Sequence, residues 1–340
     1  ITNSFDVALK VGAAGNGAMA LAWGAFAQQV MRALISQWRN GWIFPWPMRF
    51  RGTADVMRFG GGSTLLLILG SVTARAPDLI VGGVIGNYAV GIYSRASGLA
   101  VQLMILLTGA VNSVFYPALA RIRDEGRSLG EPYLRLVAGY TGIVWPAMAG
   151  LAVAAHPLVS ALYGPRRIAV APILSALGIA QMIFVALPMS VQIPILLGEL
   201  KGVLRRNGAA TAIALTLLAI GASRGVESAA AAYVAYACIW FLIYLFFLRR
   251  LTGFGWGPLI AIYVRNLFAA AVAVAPLLAW YRWITPAAAM SFSEMLVPIF
   301  AGMALWLGAL FATGNPLTGD IRNLTSAAWT RVGRRQMAPK

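Results

Sequence analysis

Long stretches without a charged residue limit how this chain can fold more than any other feature of its sequence. They are residues 11–31, 59–74, 79–94, 96–120, 136–165, 168–198, 207–223, 228–248, 266–281 and 295–319. Several exceed the roughly 20 residues with which a helix crosses the core of a bilayer. Only 11% of the residues are charged, against roughly 25% in an ordinary soluble domain. The sequence therefore predicts an all-α, polytopic transmembrane helix bundle.

About nine membrane spans fit these stretches. Their centres are expected near Ala22, Ile68, Leu106, Val144, Gln181, Leu215, Trp240, Val272 and Leu305. The second span is the hardest to place, because Arg75 and Asp78 interrupt the apolar run that begins at Phe59. It either ends early or continues to Ile85. Continuation with a kink at Pro77 is the prediction, since backbone groups in lipid must find partners within their own segment.

The basic residues predict how the spans are oriented. With the C-terminus in the cytoplasm, nineteen of them fall on the cytoplasmic side, in the groups 39–58, 121–135, 201–206, 249–265 and 322–340. Seven fall on the other side or inside spans: Lys10, Arg75, Arg95, Arg166, Arg167, Arg224 and Arg282. This positive-inside bias places the N-terminus outside and the C-terminus in the cytoplasm.

The net charge of +17 does not predict a nucleic-acid-binding protein. A nucleic-acid footprint is a single basic patch, whereas these basic residues stand at the ends of apolar stretches. We expect them to contact the headgroups of anionic membrane lipids instead.

The connections between spans are short. The longest polar ones are about 36–57 and 119–132, with a tail from 314, and none has room for a folded soluble domain. Ala229–Ala232 and Ala269–Ala271 indicate close helix packing through small residues. Whatever the protein does is therefore expected to happen within or beside the bilayer.

Catalytic and metal-binding patterns find little support in the sequence. His156 is the single histidine and Cys238 the single cysteine, so neither a metal site nor a disulfide is expected. The stretch F-G-G-G-S-T at 59–64 lacks the lysine of a phosphate-binding loop and favours helix packing. Asp78 is a lone carboxylate, too little for general acid–base catalysis. We expect no enzyme activity and no cofactor.

Polar residues inside the spans need an explanation, because a charge at the centre of a spanning helix costs on the order of 2.5–3.5 kcal/mol. On a helical wheel, one face of the second span carries Thr64, Ser71, Arg75, Asp78 and Gly82. One face of the third span carries Arg95, Gly98, Gln102, Ser113 and Tyr116. The two spans are joined by a short turn, so we expect their polar faces to line one cavity.

Other interpretations of these charges remain open. Arg75 and Asp78 are three residues apart, and they could neutralise each other within their helix. Arg95 stands only a few residues into its span and could extend towards the outer interface instead of a cavity.

Gln181 and Gln192 form a further polar stripe on the fifth predicted span, with Pro188 between them as an expected kink. A glutamine at such a position more often forms hydrogen bonds with a neighbouring helix than with a substrate. Gln181 is kept as a candidate for the cavity.

Five sequence elements occur in an order typical of one family. They are F-G-G-G-S-T, R-A-P-D-L-I-V-G-G-V-I-G, V-G-I-Y-S-R-A, Y-P-A-L-A-R-I-R-D and Y-G-P-R-R. From about residue 5 to 250 the chain resembles the polysaccharide transporter branch of the multidrug/oligosaccharidyl-lipid/polysaccharide exporters. This branch contains O-antigen and exopolysaccharide flippases of the Wzx type.

The resemblance implies a domain organisation. Members have 12 to 14 spans in two six-helix lobes, and the start at Ile1 without a methionine or signal peptide indicates that the N-terminal part is missing. Residues 1–35 would end the first lobe, and 36–57 would be the cytoplasmic linker. Residues 58–250 would form the second lobe, 251–313 an additional C-terminal helix pair and 314–340 a basic cytoplasmic tail.

The resemblance also implies a function: flipping of undecaprenyl-diphosphate-linked oligosaccharide across the bacterial inner membrane by alternating access. The polymerase and glycosyltransferases of the same pathway are the implied partners. Arg75 and Arg95 would bind the anionic headgroup, and Asp78 would be their partner or a cation-coupling carboxylate. Ser71, Gln102 and Gln181 would also line the cavity. The alternatives are a multidrug or small-molecule antiporter of the same fold, a membrane glycan polymerase or glycosyltransferase, or a structural membrane subunit.

Overall fold

The computed structural model of the chain describes residues 17–40 and 54–312, and the regular structure in these ranges is entirely helical. The chain divides into two units after Met57. The first contains α1 (Gly17–Asn40). The remaining helices are α2 (Ala54–Val84), α3 (Asn87–Asp124), α4 (Gly130–Val153), α5 (Ala155–Tyr163), α6 (Val170–Val185), α7 (Gln192–Leu196), α8 (Leu200–Ala222), α9 (Val226–Thr252), α10 (Trp256–Trp283) and α11 (Phe292–Ala312).

Seven helices in the described ranges are long and apolar enough to cross a membrane. They are α2 from Phe59, α3 as far as Gly109, α4, α8, α9, α10 and α11. Each contains one of the predicted span centres, so the prediction of an all-α polytopic membrane bundle is confirmed. The other two predicted centres also lie on helices. Ala22 lies on α1, and Gln181 on α6, an apolar helix of only 16 residues.

The fifth predicted span differs from the expectation, because a turn interrupts it. α6 ends at Val185, and Pro188 lies in the turn before α7 instead of at a kink within one helix. Proline has no N–H to continue the ladder, and it disfavours the helical conformation of the residue before it. The hydroxyl of Tyr263 donates a hydrogen bond of 2.7 Å to the carbonyl of Ala186, which the end of α6 leaves without a helical partner.

The second span continues through its charges, as predicted. α2 is one helix of 31 residues with Pro77 in its interior, and Arg75 and Asp78 both lie on it. The next helix, α3, contains Arg95 and Gln102 and ends at Asp124. The two predicted polar faces therefore belong to two consecutive, unbroken helices.

Small residues allow the helices to approach closely. A Cβ on Gly178 of α6 would lie 3.2 Å from the carbonyl oxygen of Met148 on α4. A Cβ on Gly221 of α8 would lie 2.7 Å from the Cβ of Ala232 on α9. Ala229 and Ala230, and likewise Ala269 and Ala270, are buried, which agrees with the packing role predicted for both alanine runs.

The C-terminal helices α10 and α11 are packed against α4 and linked to it by polar contacts. The side-chain amide of Asn266 donates to the carbonyl of Ala138 at 3.1 Å and to the hydroxyl of Thr141 at 2.6 Å. The indole of Trp306 donates to the carbonyl of Gly142 at 2.9 Å. In a lipid environment such hydrogen bonds replace those that water would supply. The helices α10 and α11 are therefore an integral part of this bundle.

Helix ends rich in arginine lie at the same end of the bundle, which we call the basic end. A Cβ on Gly62, near the start of α2, would meet the side chain of Leu200 at the start of α8. Arg123, near the end of α3, donates a hydrogen bond of 2.7 Å to the carbonyl of Leu196. At the start of α4, a Cβ on Gly130 would lie 3.1 Å from the carbonyl oxygen of Thr252.

Candidate functional site

The helix α2 has a covered side and an uncovered side. Leu66, Ala76, Pro77 and Val81 are buried and lie on one side of it. Three polar residues of the predicted face, Thr64, Ser71 and Arg75, are exposed and lie roughly opposite on the helical wheel. The part of the predicted polar face that carries Thr64, Ser71 and Arg75 thus lies on the side of α2 that the described helices leave open, whereas Asp78 and Gly82 are half-buried.

Asp78 links the polar face of α2 to α3 through Ser94, which precedes the polar face of α3. Its side chain is half-buried, and the hydroxyl of Ser94 donates a hydrogen bond of 2.7 Å to its Oδ1 atom. Ser94 immediately precedes Arg95 in the element V-G-I-Y-S-R-A. On the covered side of α2, the hydroxyls of Thr73 and Thr211 are 2.9 Å apart and link α2 to α8. Single polar contacts therefore link α2 to α3 and to α8.

Arg75 is not paired with Asp78. Within the described residues, the ion pairs are Arg123–Asp124, Arg127–Glu125 and Arg135–Glu131, all at exposed positions. Arg75 forms no hydrogen bond or ion pair with any residue that the structure describes. The alternative in which Arg75 and Asp78 neutralise each other is not the arrangement found. The Arg75 guanidinium stands on the open side of α2 with its charge available.

Arg95 is directed towards the beginning of its own helix. Its Nη1 atom donates a hydrogen bond of 3.3 Å to the carbonyl of Gly91, one turn earlier. The guanidinium carbon lies 5.8 Å from the centre of the Tyr163 ring, at the end of α5. This geometry is the one expected if Arg95 extends towards the interface. It also brings together two elements of the family pattern, V-G-I-Y-S-R-A and Y-G-P-R-R.

The remaining candidates lie on three different helices. Ser71 and Gln102 are exposed on α2 and α3, and Gln181 is half-buried on α6, which packs against α3. In the described part of the chain, no hydrogen bond joins Gln181 to Arg75, Asp78 or Arg95. The predicted stripe of Gln181 and Gln192 on one span is wrong, because the turn at Pro188 places the two glutamines on separate helices.

An aromatic cluster beside Gln181 is a feature that the sequence analysis missed. Phe184, one turn after Gln181, packs against Tyr233, Tyr236 and Trp240 of α9, with ring centres 5.7, 5.8 and 5.1 Å away. The spacing of three and four residues along α9 was the available signal, but in an apolar helix it does not identify the partner helix. The contact of Tyr163 with Arg95 was likewise not predicted, although Tyr163 is the first residue of the element Y-G-P-R-R.

Metal and proton chemistry have few candidates in the described residues. No group of three or more His, Cys, Asp or Glu side chains within them could hold a metal ion. Nδ1 of His156 is buried and has no hydrogen-bond partner there. The candidate site offers the guanidinium of Arg75 for anions and the polar groups of Asp78, Ser94 and Ser71 for hydroxyl groups, beside exposed apolar side chains of α2 such as Leu67 and Leu79.

These features define a multi-pass helical membrane protein with polar residues on an open helix face. Residues 2–172, half of the chain, match the family described as polysaccharide biosynthesis protein. The chain belongs to this family. The match covers α2 and α3, and with them Arg75, Asp78 and Arg95, and it confirms the predicted family.

Three curated relatives are similar to parts of the chain. The teichuronic acid biosynthesis protein TuaB of Bacillus subtilis is 24% identical over 42% of this chain and 29% of its own length. The lipopolysaccharide biosynthesis protein WzxC of Escherichia coli is 27% identical over 36% of this chain and 25% of its own length. An uncharacterized membrane protein in the cps region of Klebsiella pneumoniae is 29% identical over 34% of this chain and 24% of its own length. The chain thus spans only about a quarter of the length of the relatives it matches.

Proposed function

We propose that the complete protein flips a lipid-linked oligosaccharide, with an undecaprenyl diphosphate anchor, across the bacterial inner membrane during the synthesis of O-antigen, capsule or exopolysaccharide. The family and the names of TuaB and WzxC support a role in polysaccharide biosynthesis. The observation that carries the transport proposal is the open polar face of α2, with Arg75 unpaired among the described residues.

An exposed arginine with exposed hydroxyls around it is costly to place against lipid tails. Thr64, Ser71 and Arg75 are therefore proposed to face a water-filled cavity, and a first lobe of the family fold would form the opposite wall. This agrees with the domain proposal in which residues 1–35 end the first lobe, 36–57 link the lobes, 58–250 form the second lobe, 251–313 add a helix pair and 314–340 form a tail.

The chemistry of the proposed cavity suits a diphosphate carrying sugars. A guanidinium binds phosphate oxygens through two parallel hydrogen bonds and keeps its charge at any working pH. Ser71 and Gln102 would contact sugar hydroxyls, and the polyprenyl tail would stay in lipid. Rocking of the two lobes would open the cavity to each side in turn. Asp78, which accepts a hydrogen bond from Ser94, would act beside this path as a cation-coupling carboxylate.

Charge removal at Arg75 tests the proposal. In the full-length protein, Arg75→Gln is expected to lower delivery of lipid-linked glycan to the outer leaflet at least tenfold, because one bidentate contact to a diphosphate is lost. Arg95→Gln is expected to have a smaller effect, since Arg95 is directed towards Gly91 and Tyr163. Arg224→Gln, at an exposed position in the connection between α8 and α9, is the matched control.

Delivery is measured as surface glycan in a strain that lacks the chromosomal copy, and each variant is compared at equal membrane abundance. Unimpaired delivery by Arg75→Gln would remove Arg75 from the proposed site. If the purified protein transported cations or drugs in vesicles and ignored polyprenyl-linked sugars, the antiporter alternative would replace flipping.

A further inference from the structure

A second cationic site lies at the basic end, away from the open face of α2. Here a cavity of about 390 Å³ opens between the α3–α4 connection, the end of α7 and the end of α9. We call it the arginine pocket, because Arg123, Arg127 and Arg250 line it together with Leu129, Leu197 and Leu251. None of the residues that line it is acidic.

The three arginines differ in how far their charges are already satisfied. Arg123 is held in place, since its Nε atom donates to Asp124 at 2.8 Å and its Nη1 atom to the carbonyl of Leu196 at 2.7 Å. Arg127 lies 3.3 Å from Glu125 in an exposed pair, and such pairs are weak and exchange readily. Arg250 forms no hydrogen bond or ion pair with any described residue. Arg250 is therefore available to an anion in the pocket, and Arg127 can exchange its exposed pair with Glu125 for the same anion.

An apolar surface continues from the pocket along α9. A smaller cavity of about 220 Å³ shares Arg250 with the arginine pocket and is also lined by Phe246, one turn earlier. Phe246 is 60% exposed, and Leu242, one further turn into the span, is 53% exposed. A phosphate next to Arg250 could therefore be followed by an acyl chain against Phe246 and Leu242.

We propose that the arginine pocket binds the phosphate of an anionic phospholipid, with Arg127 and Arg250 as its ligands and α9 as the surface for one acyl chain. Basic pockets between helices at a membrane surface are typical sites for such headgroups. Arg123 fixes the wall of the pocket through its bonds to Asp124 and Leu196. The proposal does not depend on flipping, because the site lies at the basic end and uses none of the residues assigned to the transport cavity.

The test is a lipid titration of the purified full-length protein in detergent, with bound lipid counted by native mass spectrometry. The wild type is expected to bind phosphatidylglycerol more tightly than phosphatidylcholine. Arg127→Gln and Arg250→Gln are each expected to weaken phosphatidylglycerol binding about fivefold, since an arginine near an anionic membrane surface contributes on that scale. Arg250→Lys keeps the charge and is expected to retain most of the binding.

Arg205→Gln is the matched control, because Arg205 is exposed at the same end of the bundle but does not line the pocket. Equal phosphatidylglycerol binding by wild type and by the Arg127→Gln/Arg250→Gln double variant would overturn the proposal. An equal loss in Arg205→Gln would do the same, since binding would then reflect only the general charge of this end. Displacement of the lipid by millimolar inorganic phosphate would show a free-anion site and would overturn the lipid assignment.

Discussion

At the scale of single residues, the partner of each polar side chain decides what it can do. Asp78 accepts a hydrogen bond from Ser94 of α3 and forms no ion pair with Arg75, although the spacing of three residues along α2 allowed that pair. Arg75 has no hydrogen-bond or ion-pair partner among the described residues and lies on the open side of α2. Arg95 donates a hydrogen bond to the carbonyl of Gly91 and lies over the ring of Tyr163. Two arginines that were given the same role at the anionic headgroup therefore have different environments.

Removal of the Ser94 hydroxyl is expected to weaken the join between α2 and α3. Ser94→Ala leaves the half-buried Asp78 carboxylate without its donor, and the free energy of unfolding should fall by about 1 kcal/mol. The measurement is thermal unfolding of the purified protein in detergent. Ser97→Ala is the control, because the Ser97 hydroxyl bonds only to the carbonyl of Ser94 within its own helix. An equal loss of stability in both variants would contradict this role for Ser94.

At the scale of helices, the close packing of α10 and α11 depends on a glycine position at which no larger side chain fits. Gly302 of α11 is buried, and a Cβ there would collide with the carbonyl oxygen of Ala273 on α10. Gly308 lies on the same helix with nothing within 4 Å of its Cβ position. In the sequence these two glycines look alike, and only the contact with α10 separates them.

Gly302→Ala is expected to destabilise the pairing of α10 and α11 by about 1–3 kcal/mol, because the added methyl forces the two backbones apart. Gly308→Ala should leave stability unchanged or raise it by about 0.5–1 kcal/mol, since alanine favours helix. Both variants are compared by thermal unfolding in detergent. A drop in Gly308→Ala as large as that in Gly302→Ala would show that helix pairing is not the cause.

At the scale of the whole molecule, the arginine-rich helix ends gather at one end of the bundle. Contacts between α2 and α8, between Arg123 and Leu196, and between α4 and the end of α9 all lie there. By the positive-inside rule this end is expected in the cytoplasm. The orientation can be tested with cysteine labelling, since Cys238 is the single native cysteine.

In a Cys238→Ala background, a cysteine replacing Ser223 in the connection between α8 and α9 is expected to react with a membrane-impermeant maleimide on intact spheroplasts. A cysteine replacing Ser128, in the connection between α3 and α4, should react only after the membrane is permeabilised. Both serines are exposed, so accessibility within the protein is comparable. Labelling in the reverse order would invert the proposed topology.

Sequence alone determined the class of this protein, most of its helices and the place of its polar faces. The length of apolar stretches, the spacing of Arg75 and Asp78 on α2 and the positions of arginines are local properties, so no distant contact was needed to read them. Pro188 indicated an irregularity between Gln181 and Gln192. It did not predict the turn, because a proline within a span is compatible with either a kinked helix or a break between two helices.

Only the tertiary structure decided which side of α2 is covered, that Ser94 rather than Arg75 binds Asp78, and that Arg127 and Arg250 share one pocket. Each of these outcomes depends on contacts between residues far apart in the chain. Helical periodicity gives the faces of a helix, but the neighbouring helix that each face meets is set by the packing of the whole bundle.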